Sequence, residues 1–511
     1  MTKTTNWFIL KPTNHFRANT TDENRYYKVI FLLKGAPMTL NRKSKTPLFQ
    51  QLMEIIIAEI ESGKLAPGDR LMPERKMAAF YQVNRSTVNH ALEELTSLGW
   101  LIRKQGSGTE VAKGRWGSRQ APQFQWQHLL TTRNQPDPYI KEQNRLKKNP
   151  ATLDFASGEL PPDLIPAFKF PALTWDQIIK EEKNLTVTGY TPLKDTITKK
   201  LAQKFHLPLE NQDLLITAGS TQAISLILQT LLQPGDVIAT EDPSFLFALP
   251  LFQSLGLRLQ GIATDQEGIM PKELEKQILA KKVKLLYLNP TFQNPTSRCL
   301  SYERRIKIIE ICRKYYVPII EDDIFGELNF STPIPKLKEI APEQVLYLGS
   351  LSKIFGSSIK IGWLLAPTNL IQTLANTKKI LDSETNLFSQ IVANFALNNP
   401  EYDEEHTQLL HNLKMRSDLL CQTFAPFKAD WQFTEIKGGL YYWFTWQHQN
   451  LSRKDWQLFL KENLLVAPSF FFSNDTMSMR INYTSLTPSK ATALAEKIAG
   501  ITQTLLTQPT L

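Results

Sequence analysis

Residues 345–353 read VLYLGSLSK. Val345 to Leu348 is an apolar run the length of one buried strand, and the loop Gly349-Ser350-Leu351-Ser352 that follows presents Lys353 where the strand emerges. The same grammar recurs toward the N-terminus. Leu214 to Thr217 runs into Ala218-Gly219-Ser220-Thr221 and a helical stretch from Gln222 to Leu232, and Val237 to Thr240 and Leu285 to Leu288 are further short apolar runs. Tyr302 to Tyr315 has helical spacing, and the run from Pro318 ends in Glu321, Asp322 and Asp323. Strands alternating with helices beyond Ala151 predict a mostly parallel α/β sheet. Ligands of such sheets sit beyond the carboxyl ends of the strands, which is where these polar residues fall.

Each of three strand ends offers a chemistry. Glycine with small hydroxyl residues at a helix start makes an anion cradle, because free N–H groups and the helix dipole converge there. A lysine desolvated in a loop at the same edge can form an imine. Taken singly, Lys353 reads as a solvated surface lysine and Asp322 as an ordinary strand-end acid. Together, cradle, carboxylate and amine describe what pyridoxal phosphate needs: an anchor, a partner that keeps the ring nitrogen protonated, and a Schiff-base nitrogen.

At 511 residues the chain is too long for one hydrophobic core, so two or more folding units are expected. With 42% hydrophobic and 21% charged residues it has the composition of a packed protein, which confines disorder to segments. Cys299, Cys312 and Cys421 suit neither a disulfide framework nor a metal site, and the seven histidines make no zinc-binding pattern. No metal and a reducing cytoplasm are expected. The apolar runs fall far short of the roughly 20 residues that span a bilayer, so no membrane partner is expected. Residues 1–45 lack both periodicity and a signal-peptide pattern and read as a flexible tail, with Met38 as a candidate translation start.

Residues 46–112 are a different unit. Leu48, Leu52, Ile55, Ile56 and Ile60 recur at helical spacing after Pro47, a short helix covers Glu74 to Tyr81, and Asn84 offers an N-cap for a helix from Arg85 to Leu98. Trp100 to Ile102 reads as a strand, and Gln105 to Gly108 as the turn of a β-wing into Thr109 to Val111. Over 41–119 there are 13 Lys+Arg against 8 Asp+Glu, so half of the chain's net charge of +10 sits here. Arg85, Ser86, Thr87 and Asn89 fall in the first turn of the second helix of a helix-turn-helix, where side chains and N–H groups are aimed at double-stranded DNA.

The order of features resembles the winged helix-turn-helix of the GntR regulators, with GKLAPGDRL, ERKMAAFYQVNRSTVNHALEELTSLGWL and GSGTEV in sequence. The resemblance places Arg75, Arg85, Thr87 and Gly106 at the DNA. Leu71-Met72-Pro73-Glu74-Arg75 departs from the family's usual Leu-Pro-Ser-Glu-Arg and moves the proline to the capping position. Residues 113–150, rich in Gln, Asn, Lys, Arg and Pro, read as a semi-flexible basic linker.

Residues 151–511 resemble fold-type I aminotransferases through GYTPLKDTI, ITAGSTQAI, EDPSF, NPTFQNPTS, IIEDD, GSLSK, IKIGW, KGGLYYW and MRINY. By that resemblance Lys353 carries the cofactor and Asp322 partners its pyridine nitrogen. Ser220, Thr221, Ser350, Ser352 and Lys360 surround the phosphate, and Tyr190 reaches it from the other subunit of a homodimer. Phe245 stacks on the ring, Asn294 meets its phenolic oxygen, and Arg480 receives a carboxylate. Three departures stand out. Ile324 and Phe325 replace the tyrosine that donates to the phenolic oxygen, Lys360 replaces an arginine fork, and Tyr190 runs directly into Thr191-Pro192 without the usual proline-x-glycine turn.

The whole layout is similar to the MocR subfamily of GntR regulators. It is multidomain, with a small α+β winged helix-turn-helix followed by a large α/β PLP-dependent transferase domain. This resemblance implies a cytoplasmic, bacterial transcription regulator whose aminotransferase-like domain dimerises and senses PLP or a small amino compound. The alternatives are a working aminotransferase carrying a DNA-binding appendage and a PLP-free regulator.

Overall fold

The computed structural model describes residues 40–42, 44, 46–104, 108–112, 137–207 and 209–507. The chain splits into two compact units, 1–135 and 136–511. Most of the expected tail, the wing tip with Gly106, and residues 113–136 of the expected linker lie outside the described residues.

In the first unit three helices, Leu48–Glu61, Glu74–Tyr81 and Arg85–Ser97, precede the antiparallel hairpin Leu101–Lys104 with Gly108–Val111. Their apolar stripes meet in one core of Leu52, Ile56, Ile60, Met77, Val88, Leu92 and Leu95, closed by Trp100, Leu101 and Val111. Pro73 does stand at the cap position, and the second helix starts at Glu74 behind it. Asn84 occupies the N-cap of the third helix, but its side chain does not cap, so the capping expected there is not made. Within the stretch expected as a tail, Leu40 packs against the core, Asn41 exchanges hydrogen bonds with Gln51, and Arg42 Nη2 donates to Gln82 O at 2.7 Å.

The second unit holds an eight-stranded sheet in the order Gln212–Thr217, Gly362–Pro367, Val345–Ser350, Ile319–Asp322, Val283–Leu288, Val237–Asp242, Arg258–Asp265, Gly268–Ile269. The five strands from Val345–Ser350 to Arg258–Asp265 pair in parallel, while Gly362–Pro367 runs against both its neighbours and Gly268–Ile269 against its one. The mostly parallel sheet expected from the apolar runs is therefore present, with two reversed strands. Helices such as Ser220–Leu231 and Tyr302–Lys314 cover it, and the strand residues Leu215, Ile238, Leu285, Ile320 and Leu364 are buried, as strands covered on both faces require.

A four-stranded antiparallel sheet, Trp431–Gln432, Tyr441–Trp446, Ser478–Asn482 and Ala467–Pro468, packs with the helices Tyr402–Phe424 and Pro488–Thr507 around buried Trp431, Trp446 and Trp456. The linker expected over 113–150 ends early. Pro138–Leu146 is a helix started by Asp137, which accepts from the Tyr139 N–H and pairs with Arg453. The Tyr139 ring lies 5.6 Å from Phe470, and Gln143 Nε2 donates to Val466 O at 2.7 Å. Apolar contacts to the second unit outweigh the polar composition of this stretch. Leu153–Asp154 then pairs in parallel with Leu464–Leu465.

Candidate functional site

The polar ends of the parallel strands converge as their order implies. Behind Val345–Ser350 the loop is closed by two bonds: the Ser352 N–H donates to Ser350 Oγ at 3.2 Å, and Ser350 Oγ to Ile361 O at 3.3 Å. Position 349 has to be glycine, because a Cβ there would lie 2.3 Å from the Trp363 indole. The loop delivers Lys353, whose Nζ donates to Gly158 O at 2.8 Å and stands 5.9 Å from the centre of the Phe325 ring.

Asp322 ends the neighbouring strand and is 3% exposed. Its Oδ2 accepts from Tyr287 Oη at 2.5 Å, and its backbone oxygen accepts from Asn289 Nδ2 at 2.6 Å. Oδ1 is shut from solvent and makes no hydrogen bond among the described residues. Burial pushes the carboxyl up to about 6, against the opposing effects of the Tyr287 hydroxyl, the Ile324 N–H and Lys353. Asn289 passes the connection on. Its Oδ1 accepts from the Asn294 N–H at 2.7 Å, and Asn294 O accepts from the Phe245 N–H at 3.0 Å.

Arg480, on the strand Ser478–Asn482, donates from Nη1 to Asn294 Oδ1 and from Nη2 to Ala156 O, both at 2.8 Å. Its guanidinium carbon stands 4.3 Å from the centre of the Tyr441 ring and 5.0 Å from that of Phe472. Nε is buried without a hydrogen-bond partner among the described residues, and burial depresses the group's pKa. Asn294 Oδ1 being taken by Arg480, only its amide nitrogen is left to donate to a ligand.

At the far side of the sheet Gly219, with φ +88°, leads into the helix from Ser220. Its N-cap, Gly219, has no side chain to cap it, and among the described residues no hydrogen bond takes up the first N–H groups at Ser220 and Thr221, which suits an anion. Gly362 on the reversed strand makes the cradle possible, since a Cβ there would come within 2.7 Å of Ser220 N. Lys360, two residues earlier, is exposed and makes no ion pair among the described residues. Tyr190 is placed differently from the other expected residues. It is buried against Leu193 and Ile197, its N–H donates to Gln390 Oε1, and its Oη donates to Glu181 Oε2 at 2.7 Å. Within its own chain the phenol therefore meets Glu181. A Cβ at Gly189, just before it, would lie 2.4 Å from Ile216.

The site therefore assembles Lys353, Asp322, Asn294, Phe245, Arg480, Ser350 and Ser352, with the Ser220–Thr221 cradle at the end of its own strand. Tyr287, Asn289 and Tyr441 belong to it as well and escaped the sequence reading. Tyr287 looks like one more apolar member of Leu285–Leu288, and Asn289 like the start of a loop. Glu241 joins them from behind: it accepts from the Asn289 N–H at 3.1 Å, is fully buried, and is pushed up to about 8 by desolvation.

Residues 151–498 match the family described as Aminotransferase class I and II, and residues 48–111 match Bacterial regulatory proteins, gntR family. YisV of Bacillus subtilis (strain 168), described as an uncharacterized HTH-type transcriptional regulator, is 34% identical over 87% of this chain and 93% of its own length. The chain belongs to the MocR type of GntR regulators. The HTH-type transcriptional regulator NorG of Staphylococcus aureus (strain N315) is 26% identical over 81% of the chain and 95% of its own length. The structure of Pyrococcus horikoshii kynurenine aminotransferase, solved with PMP, is similar with a TM-score of 0.68 at 26% identity, covering 75% of this chain and 99% of that one.

The residues of this MocR-type chain fit pyridoxal phosphate. The orphaned Asp322 Oδ1 suits a protonated ring nitrogen, the uncapped cradle suits a phosphate, and Lys353 supplies the amine. In its GntR module two of the expected DNA residues, Arg85 and Asn89, are joined through Glu74 and Arg103. Arg85 donates from Nε and Nη2 to Glu74 Oε2, each at 3.1 Å. Arg103, from the wing strand, donates to Glu74 Oε1 at 2.6 Å and to Asn89 Oδ1 at 2.5 Å, and Asn89 Nδ2 donates to Glu93 Oε1 at 2.8 Å. Arg75 and Ser86 are exposed and Thr87 is half-buried. Arg103 went unnoticed in the sequence because only the fold brings the wing to the third helix.

Proposed function

We propose that the protein is a DNA-binding transcription regulator of the bacterial cytoplasm, active as a homodimer, whose large domain binds pyridoxal phosphate and then a small amino compound. The observation that carries this is a buried carboxylate oxygen on Asp322 without a hydrogen-bond partner among the described residues, linked through Asn289 and Asn294 to Arg480, on a chain that also holds Lys353 at the next strand end and a GntR winged helix. When bound, pyridoxal phosphate supplies an aldehyde for an amine and a ring that accepts electron density. Asp322 holds the ring nitrogen's proton, the helix from Ser220 and Lys360 hold the phosphate, and Arg480 selects ligands that carry a carboxylate. Arg75, Arg85, Ser86, Thr87, Asn89 and the wing at Gly106 make the DNA surface. Ligand binding controls DNA binding to the extent that it favours one arrangement of the domains over another.

A second reading, a working aminotransferase, is favoured by the intact Lys353, Asp322 and Arg480. The buried Phe325 in place of a phenol weighs against it, since a hydroxyl that stabilises developing charge matters more for turnover than for binding. The deciding experiment is the visible absorption of the purified protein with pyridoxal phosphate, before and after borohydride, beside Lys353→Ala. A band that reduction traps on Lys353, shifted by amino acids without steady turnover of a keto acid, is the expected outcome. Absence of a band in both proteins would make the large domain a scaffold only, and enzyme-like turnover would favour the second reading.

A further inference from the structure

Four consecutive backbone carbonyls, Ala156 to Glu159, are held by side chains of the ligand site. Arg480 takes Ala156 O, Asn482 Nδ2 takes both Ser157 O and Glu159 O at 2.9 Å, and Lys353 Nζ takes Gly158 O at 2.8 Å. Gly158 O has a second donor, Tyr441 Oη, at 3.2 Å. The two donors on this oxygen are unequal in one respect. Were the Lys353 nitrogen to join the cofactor's aldehyde carbon, with water expelled, it would keep at most one proton and would no longer be a free ammonium donor to this oxygen. Tyr441 does not have to move. Its ring is 1% exposed, edge-on to Phe325 at 5.6 Å and 82°, and covered by the Arg480 guanidinium. A Cβ added at Gly158 would lie 3.2 Å from Tyr441 Oη, so hydroxyl and segment are in close contact.

We propose that Tyr441 is a positioning residue of this site: its hydroxyl keeps the Gly158 carbonyl, and with it residues 156–159, in place when Lys353 leaves to bind the cofactor. This hydroxyl comes from the four-stranded sheet, on the strand Tyr441–Trp446, and is directed to the main chain beside the lysine. A carbonyl with one departing donor needs one that stays, because an unpaired half-buried acceptor destabilises the segment it belongs to. The proposal rests on Lys353 being the cofactor's lysine.

The test is amide hydrogen exchange over residues 155–160 in the full-length chain, for Lys353→Ala, Tyr441→Phe and the double variant, all free of cofactor. Phenylalanine keeps the ring contacts to Phe325 and Arg480 and removes only the hydroxyl. Each single variant retains one donor and should exchange within about twofold of the parent, whereas the double variant should exchange about tenfold faster. Adding pyridoxal phosphate should then speed exchange about tenfold in Tyr441→Phe and leave the parent unchanged. Exchange in the double variant that equals the product of the single effects would overturn the proposal. So would a rise in Tyr441→Phe of the same size with and without pyridoxal phosphate, which would mark a purely structural residue. If the parent takes up no pyridoxal phosphate, the cofactor reading fails, while the cofactor-free set of four proteins still decides the role of Tyr441.

Discussion

Among the described residues of the large domain Asp322 Oδ1 and Arg480 Nε are buried without hydrogen-bond partners, whereas in the small domain Arg85 and Arg103 are engaged by Glu74, Asn89 and Glu93 while in contact with solvent. The contrast follows from what each surface binds. A buried polar atom without a partner costs stability in the free protein, and that cost is recovered only by a ligand that fits it. Exposed ion pairs are worth roughly 0–1 kcal/mol, so arginines held in them can be handed to phosphates at little expense. The cofactor site is preorganised by leaving donors and acceptors open, and the DNA surface by keeping its cations lightly paired.

The largest effect is expected where the open atom is removed. Asp322→Ala takes away the charge-assisted partner of the ring nitrogen, worth roughly 1.5–3 kcal/mol, and should weaken pyridoxal phosphate binding about 10- to 100-fold in an absorbance titration. Affinity unchanged by this substitution would break the assignment of Oδ1.

The same buried acids sharpen the contrast through pH. Asp322 is raised from 3.8 to about 6 and Glu241 from 4.5 to about 8, so both hold protons in the folded chain at pH values where the unfolded chain has lost them. The unfolded state then binds fewer protons than the native one, and stability falls as pH rises. For Asp322 the loss spans roughly pH 4 to 6 and approaches about 3 kcal/mol at 1.36 kcal/mol per unit. Glu241 extends the decline toward pH 8. Denaturant titrations of the cofactor-free protein should therefore show falling stability from pH 4 to 8, and pyridoxal phosphate should flatten the curve by pairing the Asp322 carboxylate. A pH dependence between 5 and 8 that Asp322→Asn and Glu241→Gln both leave unchanged would contradict the burial of these groups.

How far the sequence could be read differs between the two units for a related reason. Strand ends were legible in the large domain because a buried parallel strand is a solid apolar run, so Asp322 and Lys353 stand out among the polar groups that follow Ile320 and Leu348. Tyr287 and Tyr441 were not legible, because an aromatic residue inside a strand reads as core until its hydroxyl is seen to meet Asp322 or Gly158. The bond from Tyr190 to Glu181 was not legible either, because a motif tyrosine carries no mark of which partner its hydroxyl meets. In the small domain helix spacing located all three helices, but the Glu74–Arg103 pair joins residues 29 apart.

A smaller effect is expected from Arg85→Ala. Taking one arginine away from the phosphates should weaken DNA binding about tenfold and reduce the slope of log affinity against log salt by about one, with the cofactor's absorption unchanged. Equal affinity at every salt concentration would remove the third helix from the DNA surface.

The smallest effect tests the loose pairing itself. Glu74→Gln frees Arg85 and Arg103 from their shared carboxylate and removes a negative charge from the neighbourhood of the DNA phosphates, at a stability loss below about 1 kcal/mol. If the pairs only keep the arginines neutralised, DNA affinity should rise about two- to threefold at low salt and the gain should fade as salt screens the charge. If Glu74 instead orients the arginines for base contacts, affinity for a specific site should fall about tenfold while non-specific binding holds. That result would turn the small domain into a second preorganised site and dissolve its contrast with the first.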